Sequence, residues 1–104
     1  MIITICGSMR YISEMLMEYQ RLSLEGHLVY LPVIRTNTNE DSKISDALKK
    51  QLQQLHFKKI RLSDFIFVVN PGGYIGEGTL AEIAYAERCK IPVKYLEEKS
   101  KWNI

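Results

Sequence analysis

Short β-rich apolar runs alternate with stretches of helical periodicity along the chain, and glycines or polar breaks stand between them. Ile2-Ile3-Thr4-Ile5-Cys6 ends at Gly7, after which Ile12, Met15, Leu16, Tyr19 and Leu22 recur at helical spacing up to Glu25-Gly26. The segment from His27 to Val33 reads as a second strand, and the polar stretch from Arg35 to Lys43 as a loop. Ile44, Leu48, Leu52, Leu55 and Lys59-Ile60 trace a second helix that Ser42 or Ser45 can cap. Ser63-Asp64 breaks it before an apolar strand from Phe65 to Asn70. A glycine-rich loop from Pro71 to Gly78 then leads into a third helix, from about Thr79 to Lys90, and a last strand from Pro92 to Leu96.

The order βαβαβαβ with short connections predicts an α/β domain of three layers, a parallel four-stranded sheet with helices on both faces. The expected strand order is 2-1-3-4. The chain leaves strand 1 in one direction and strand 3 in the other, which opens a crevice above their carboxyl ends where a ligand belongs.

Composition narrows what that ligand is. Lys and Arg number 14 against 12 Asp and Glu, a net charge of +2, and no basic run exceeds Lys49-Lys50 or Lys58-Lys59. Such a chain lacks the footprint for a nucleic-acid polymer or an anionic membrane, and leaves a small anionic ligand open. Lys58 and Lys59 read as a solvated helix face. At 104 residues the chain is expected to form one domain over 1–104, too small to enclose a deep site without walls from a second copy. Cys6 and Cys89 form no CxxC pair or Cys/His cluster, so neither a disulfide nor a metal site is expected, and both read as buried reduced thiols. The longest apolar run, Phe65 to Val69, is far below the ~20 residues of a spanning helix, and no basic segment precedes the first strand. A soluble cytoplasmic protein is expected.

Two loops fall at the crevice. Cys6-Gly7-Ser8-Met9-Arg10 offers backbone N–H groups at a helix entry, a hydroxyl and a guanidinium, which together suit phosphate. The plainer reading is a tight turn at Gly7, a cap at Ser8 and a solvated Arg10. No Gly-Lys-Ser/Thr loop or G-x-G-x-x-G fingerprint is present, and Arg10 stands too near Cys6 for a phosphatase loop. Cys6 therefore reads as a buried strand-end thiol. The second loop brings Asn70, Tyr74, Gly76, Glu77 and Gly78 to the rim, then Thr79 and Glu82 in the first turn of the third helix. Thr79 with Glu82 also spells a T-x-x-E capping box, a purely structural use of the carboxylate.

Cys6-Gly7-Ser8-Met9-Arg10, Gly26-His27, Ser63-Asp64 and the run from Gly78 to Ala86 together resemble the nucleoside 2-deoxyribosyltransferase and deoxynucleoside monophosphate N-glycosidase superfamily, over nearly the whole chain. The resemblance implies a Rossmann-like, flavodoxin-like fold and homo-oligomeric assembly, with a neighbouring subunit closing the pocket. It implies a nucleoside or nucleoside monophosphate substrate, no cofactor, and a covalent intermediate on Glu82. It also places Gly7, Ser8, Met9 and Arg10 at the phosphate and Asn70, Gly76, Gly78 and Thr79 around the ligand. The family's helix-2 aspartate, an acid near the leaving base, aligns with His56, and its strand-1 tyrosine with Thr4. His56 is then the remaining acid. A module that binds a nucleotide-derived ligand without turnover is the alternative, and His56 also reads as a core histidine flanking Leu52 and Leu55.

Overall fold

The computed structural model describes residues 1–34 and 45–98. The elements run β1 (Ile2–Gly7), α1 (Ile12–Leu24), β2 (Leu28–Tyr30), α2 (Asp46–Arg61), β3 (Phe65–Val69), α3 (Glu77–Arg88) and β4 (Val93–Tyr95). All pairings are parallel and the sheet order is β2-β1-β3-β4, as expected from the sequence. Arg35 to Lys43, Ser42 and Ile44 lie outside the described residues.

The two faces of the sheet follow the alternation of side chains along each strand. Ile3 and Ile5 of β1, with Phe65 and Val69 of β3, pack on Met15 and Leu22 of α1. Cys6, Ile66 and Val68 point the other way, onto Ile60 of α2 and Ile83 and Ala86 of α3. One helix on one face and two on the other are what right-handed crossovers produce from this strand order.

The foot of the sheet is fastened by Asp64, whose carboxylate accepts from the Ile2 N–H at 2.6 Å while its own N–H donates to the Ile2 carbonyl at 2.7 Å. Beside it, the buried Thr4 Oγ1 and the half-buried Ser63 Oγ lie 2.6 Å apart. These contacts fix the β1–β3 register, Ile3 opposite Phe65 and Gly7 opposite Val69, and so bring the two rim loops side by side.

One expected cap holds and three other local expectations change. Ser45 caps α2, accepting from the Leu48 N–H at 3.1 Å. The buried stripe of that helix is His56 and Ile60, one turn apart, while Leu55 is 43% exposed; the histidine occupies the core position expected of the leucine. Lys59 is not a freely solvated cation, because its ammonium donates to the Leu31 carbonyl at 2.7 Å. Finally, Cys89 is exposed, so only Cys6 is a buried thiol. No helix among the described residues is long and apolar enough to cross a membrane.

Candidate active site

Gly7 ends β1 where the backbone must come closest to its neighbours. A Cβ there would lie 3.0 Å from the Val69 carbonyl oxygen and 3.0 Å from Met15 Sδ, tight against a backbone atom that cannot yield. Beyond it, Ser8 opens a single 3₁₀ turn over Met9–Tyr11 and accepts from the Arg10 N–H at 3.2 Å. Its oxygen thus caps a turn; the hydroxyl hydrogen is left to donate. The Arg10 guanidinium lies over the Tyr74 ring at 4.3 Å, and Tyr74 meets Tyr11 edge to face at 5.9 Å. This aromatic contact joins the first loop to the second.

The second loop turns through Pro71–Gly73, with Gly72 at φ 65° and Gly73 at φ 83°, left-handed conformations that glycine adopts without strain. Asn70 is fully buried, and its amide both donates to the Glu97 carbonyl at 3.1 Å and accepts from the Glu97 N–H at 2.9 Å. Asn70 therefore holds the chain beyond β4. Gly76 is the N-cap of α3, which begins at Glu77, ahead of the expected start. Thr79 consequently sits inside the helix, and no T-x-x-E capping box forms. Glu82 falls in the second turn, on the buried stripe of Thr79, Glu82, Ile83 and Ala86. With capping removed, nothing in the local helix accounts for a carboxylate on this stripe.

Glu82 is 7% exposed and His56 3%. His56 Nε2 lies 3.8 Å from Glu82 Oε1 and 3.5 Å from Cys6 Sγ. The first separation is too long for a hydrogen bond, and both Glu82 Oε1 and His56 Nδ1 are buried with no hydrogen-bond partner. One ligand atom from each of Cys6, His56 and Glu82 lies within 4.8 Å of the others. The sequence placed Cys6 among inert core thiols. The signal for it was its place as the last side chain of β1 on the α2/α3 face, immediately before the Gly7 turn.

Burial governs the protonation of all three groups. It raises the Glu82 carboxyl to about 7, with the neighbouring Cys6 thiol pulling it partly back. It lowers His56 to about 4, helped by the charge of Lys59 and opposed by the Ile5 backbone. Burial, and then the charge of Glu82, push the Cys6 thiol well above its usual value. Near neutral pH the imidazole is uncharged, so His56 can enter a reaction as a hydrogen-bonding group but holds no imidazolium proton to give a leaving base.

A cleft of about 170 Å³ opens over this cluster. His56 and Glu82 line it, with Gly7 and Met9 from the first loop and Lys49 and Gln53 from α2. Gln53 also donates to the Gly78 carbonyl at 3.3 Å, tying α2 to the start of α3. Lys49, Gln53 and His56 share one helix face, a periodicity that marks Lys49 as a cation at the mouth that the sequence reading passed over. Of the expected ligand-binding residues, Gly7 and Met9 line the cleft. Arg10 stacks on Tyr74 outside the cleft lining, Ser8, Asn70 and Gly76 belong to the two loops, and Gly78 and Thr79 lie in the first turn of α3.

No family model and no curated protein matches this sequence. Two solved structures match its fold. A 2-deoxyribosyltransferase from the psychrotolerant bacterium Bacillus psychrosaccharolyticus superposes with a TM-score of 0.65 at 17% identity, over 91% of this chain and 71% of that one. A conserved protein from Enterococcus faecalis V583 gives a TM-score of 0.63 at 24% identity, over 95% of this chain and 64% of that one. The chain thus has a nucleoside 2-deoxyribosyltransferase-like, flavodoxin-like fold, as its sequence motifs implied.

Proposed function

We propose that this chain processes nucleosides or nucleoside monophosphates at the N-glycosidic bond, with Glu82 as the nucleophile. The observation that carries the reading is the Glu82 carboxylate, buried at the cleft with Oε1 unpartnered, on a helix stripe otherwise given to core packing. The likeness in fold to a 2-deoxyribosyltransferase supports it.

In this reading the ionised Glu82 oxygen attacks the sugar C1′ as the C1′–N bond breaks and its electron pair leaves with the base. A low-polarity surround favours that attack, because the charge of the carboxylate is neutralised as the bond to C1′ forms. Water or a second base then displaces Glu82 from C1′, giving hydrolysis or transfer. Neutral His56 stands beside the carboxylate, 3.8 Å from its Oε1, and Arg10, Ser8 and Lys49 face the anionic end of the ligand. The leaving base takes its proton from solvent. The cleft is smaller than the ~300–1,000 Å³ of typical small-molecule sites, which supports assembly as a homodimer or larger, with a second copy completing the wall.

The test is incubation with a panel of nucleosides and nucleoside monophosphates, read as released base. Base release that Glu82→Gln lowers by at least ~10³-fold, while ligand binding persists, is the expected result. Undiminished release in the variant overturns the nucleophile. A binding module without turnover is the second reading, favoured by the neutral state of His56 where an acid would serve the leaving base. Thermal stabilisation by nucleotide with no base released selects it.

A further inference from the structure

Cys6, His56 and Glu82 come from β1, α2 and α3, so no sequence spacing announces them as a set. Their donor atoms nevertheless converge: Cys6 Sγ to His56 Nε2 is 3.5 Å, His56 Nε2 to Glu82 Oε1 is 3.8 Å, and the three atoms span no more than 4.8 Å. Around a tetrahedral zinc ion, with Zn–S about 2.3 Å and Zn–N or Zn–O about 2.0–2.2 Å, the sulfur–nitrogen separation is about 3.6 Å and nitrogen–oxygen about 3.4 Å. Two edges of the cluster are thus within a few tenths of an ångström of coordination geometry, and the third, sulfur to carboxylate oxygen, is within 4.8 Å and closes to about 3.6 Å around the ion. A second, independent observation concerns Glu82 Oε1. It is buried without a well-formed hydrogen bond and faces His56 across a gap too long for one, with the Cys6 thiol as its other polar neighbour. A buried polar oxygen in that state is costly, and a cation between the two side chains satisfies it.

We propose that Cys6 Sγ, His56 Nε2 and the Glu82 carboxylate form a three-ligand site for a zinc-type divalent cation, with the fourth coordination position open to the cleft. The donor set selects the metal. Thiolate and imidazole favour zinc over the oxygen-seeking magnesium and calcium. A thiolate and a carboxylate also cancel the charge of a divalent ion, so the filled site introduces no net charge into the interior. In binding, the Cys6 S–H bond breaks, the thiolate sulfur and the ionised Glu82 carboxylate take the metal, and the thiol proton, with the carboxyl proton where Glu82 holds one, goes to solvent. This inference goes beyond the glycosidic reading and shares Glu82 with it. Coordination engages the carboxylate that the nucleophile needs, so the metal-loaded chain is expected to be inactive in base release.

The test is titration of the chelator-treated full chain with Co²⁺, read by absorption. One equivalent is expected to give the near-ultraviolet thiolate-to-cobalt charge-transfer band with visible bands of four-coordinate cobalt, and added Zn²⁺ is expected to bleach both. Cys6→Ser loses the charge-transfer band and Cys89→Ser keeps it; His56→Ala and Glu82→Gln each weaken binding at least tenfold. Absence of the band in the wild-type chain, its persistence in Cys6→Ser, or its loss in Cys89→Ser overturns the site. Zinc X-ray absorption on the wild-type chain gives a reading that needs no variant: one sulfur and two or three nitrogen or oxygen neighbours are expected, and a shell without sulfur overturns it. Base release measured in chelator reports on the glycosidic reading separately, so failure of either leaves the other standing.

Discussion

The Arg10 guanidinium rests 4.3 Å from the centroid of the Tyr74 ring, binding the loop after β1 to the loop after β3 across the crevice. Stacking engages the face of the guanidinium and leaves its N–H edge for an anion, so Tyr74 preorganises the cation. Arg10→Ala is expected to weaken a nucleoside monophosphate by ~1.5–3 kcal/mol and the unphosphorylated nucleoside scarcely at all. Tyr74→Leu should lower phosphate affinity by a smaller factor. Calorimetric titration of both ligands checks this, and equal losses for the two would place Arg10 away from the phosphate.

Burial gives Glu82 and His56 opposite effects on stability. The Glu82 carboxyl is raised from 4.5 to about 7, so the stability its neutral form provides is whole below 4.5 and is lost as pH rises through 7. His56 is lowered from 6.5 to about 4, so its contribution is whole above 6.5 and is lost as pH falls through 4. Glu82→Gln cannot ionise. In chelator, it should match the wild type near the acid end of this window and exceed it by up to about 3 kcal/mol at about pH 8. Denaturant unfolding at the two pH values measures the gap, and a gap that does not widen with pH contradicts the buried carboxyl.

The same ionisation bears on turnover. A nucleophile that must shed its proton near 7 gives base release whose kcat/KM rises with pH through about 7 and then levels. A profile that falls across that range would make the protonated carboxyl the working form, an acid rather than a nucleophile.

Asn70 carries both hydrogen bonds that fasten the Glu97 backbone behind the second loop. Asn70→Ala should cost about 1–3 kcal/mol in unfolding experiments, through backbone groups deprived of their partner. Hydrogen exchange at the Glu97 amide should rise more than at Ile5 in the sheet core, and equal changes at both would remove the local role.

Gly7→Ala places a methyl group against the Val69 carbonyl and Met15 Sδ. Overpacking of this kind costs about 1–3 kcal/mol, and here the strain falls on the end of β1 beside the cleft. Thermal unfolding checks the loss; an unchanged midpoint would show that the strand end can shift to admit a Cβ.

The sequence by itself determined the topology. Apolar runs of strand length such as Phe65 to Val69, and helical periodicities such as Ile12, Met15, Tyr19 and Leu22, are local signals. With right-handed crossovers they predict a parallel sheet covered on both faces, and the expected order β2-β1-β3-β4 is the one the structure has. The two rim loops were legible for the same reason, because strand order alone places Gly7 beside the loop from Asn70. Glu82 entered through its neighbouring motif, and His56 through alignment with it. What only the tertiary structure decided is what those residues face. Whether Thr79 caps a helix depends on where the helix starts, and Gly76 starts it earlier. Whether Asn70 meets a ligand depends on Glu97, which arrives from beyond β4. Above all, Cys6 is an inert thiol in its own strand and part of a buried Cys–His–Glu cluster once α2 and α3 pack over it. Periodicity reports which face of an element is buried; the partners on that face come from elements distant in sequence, and packing alone sets their distances and charges.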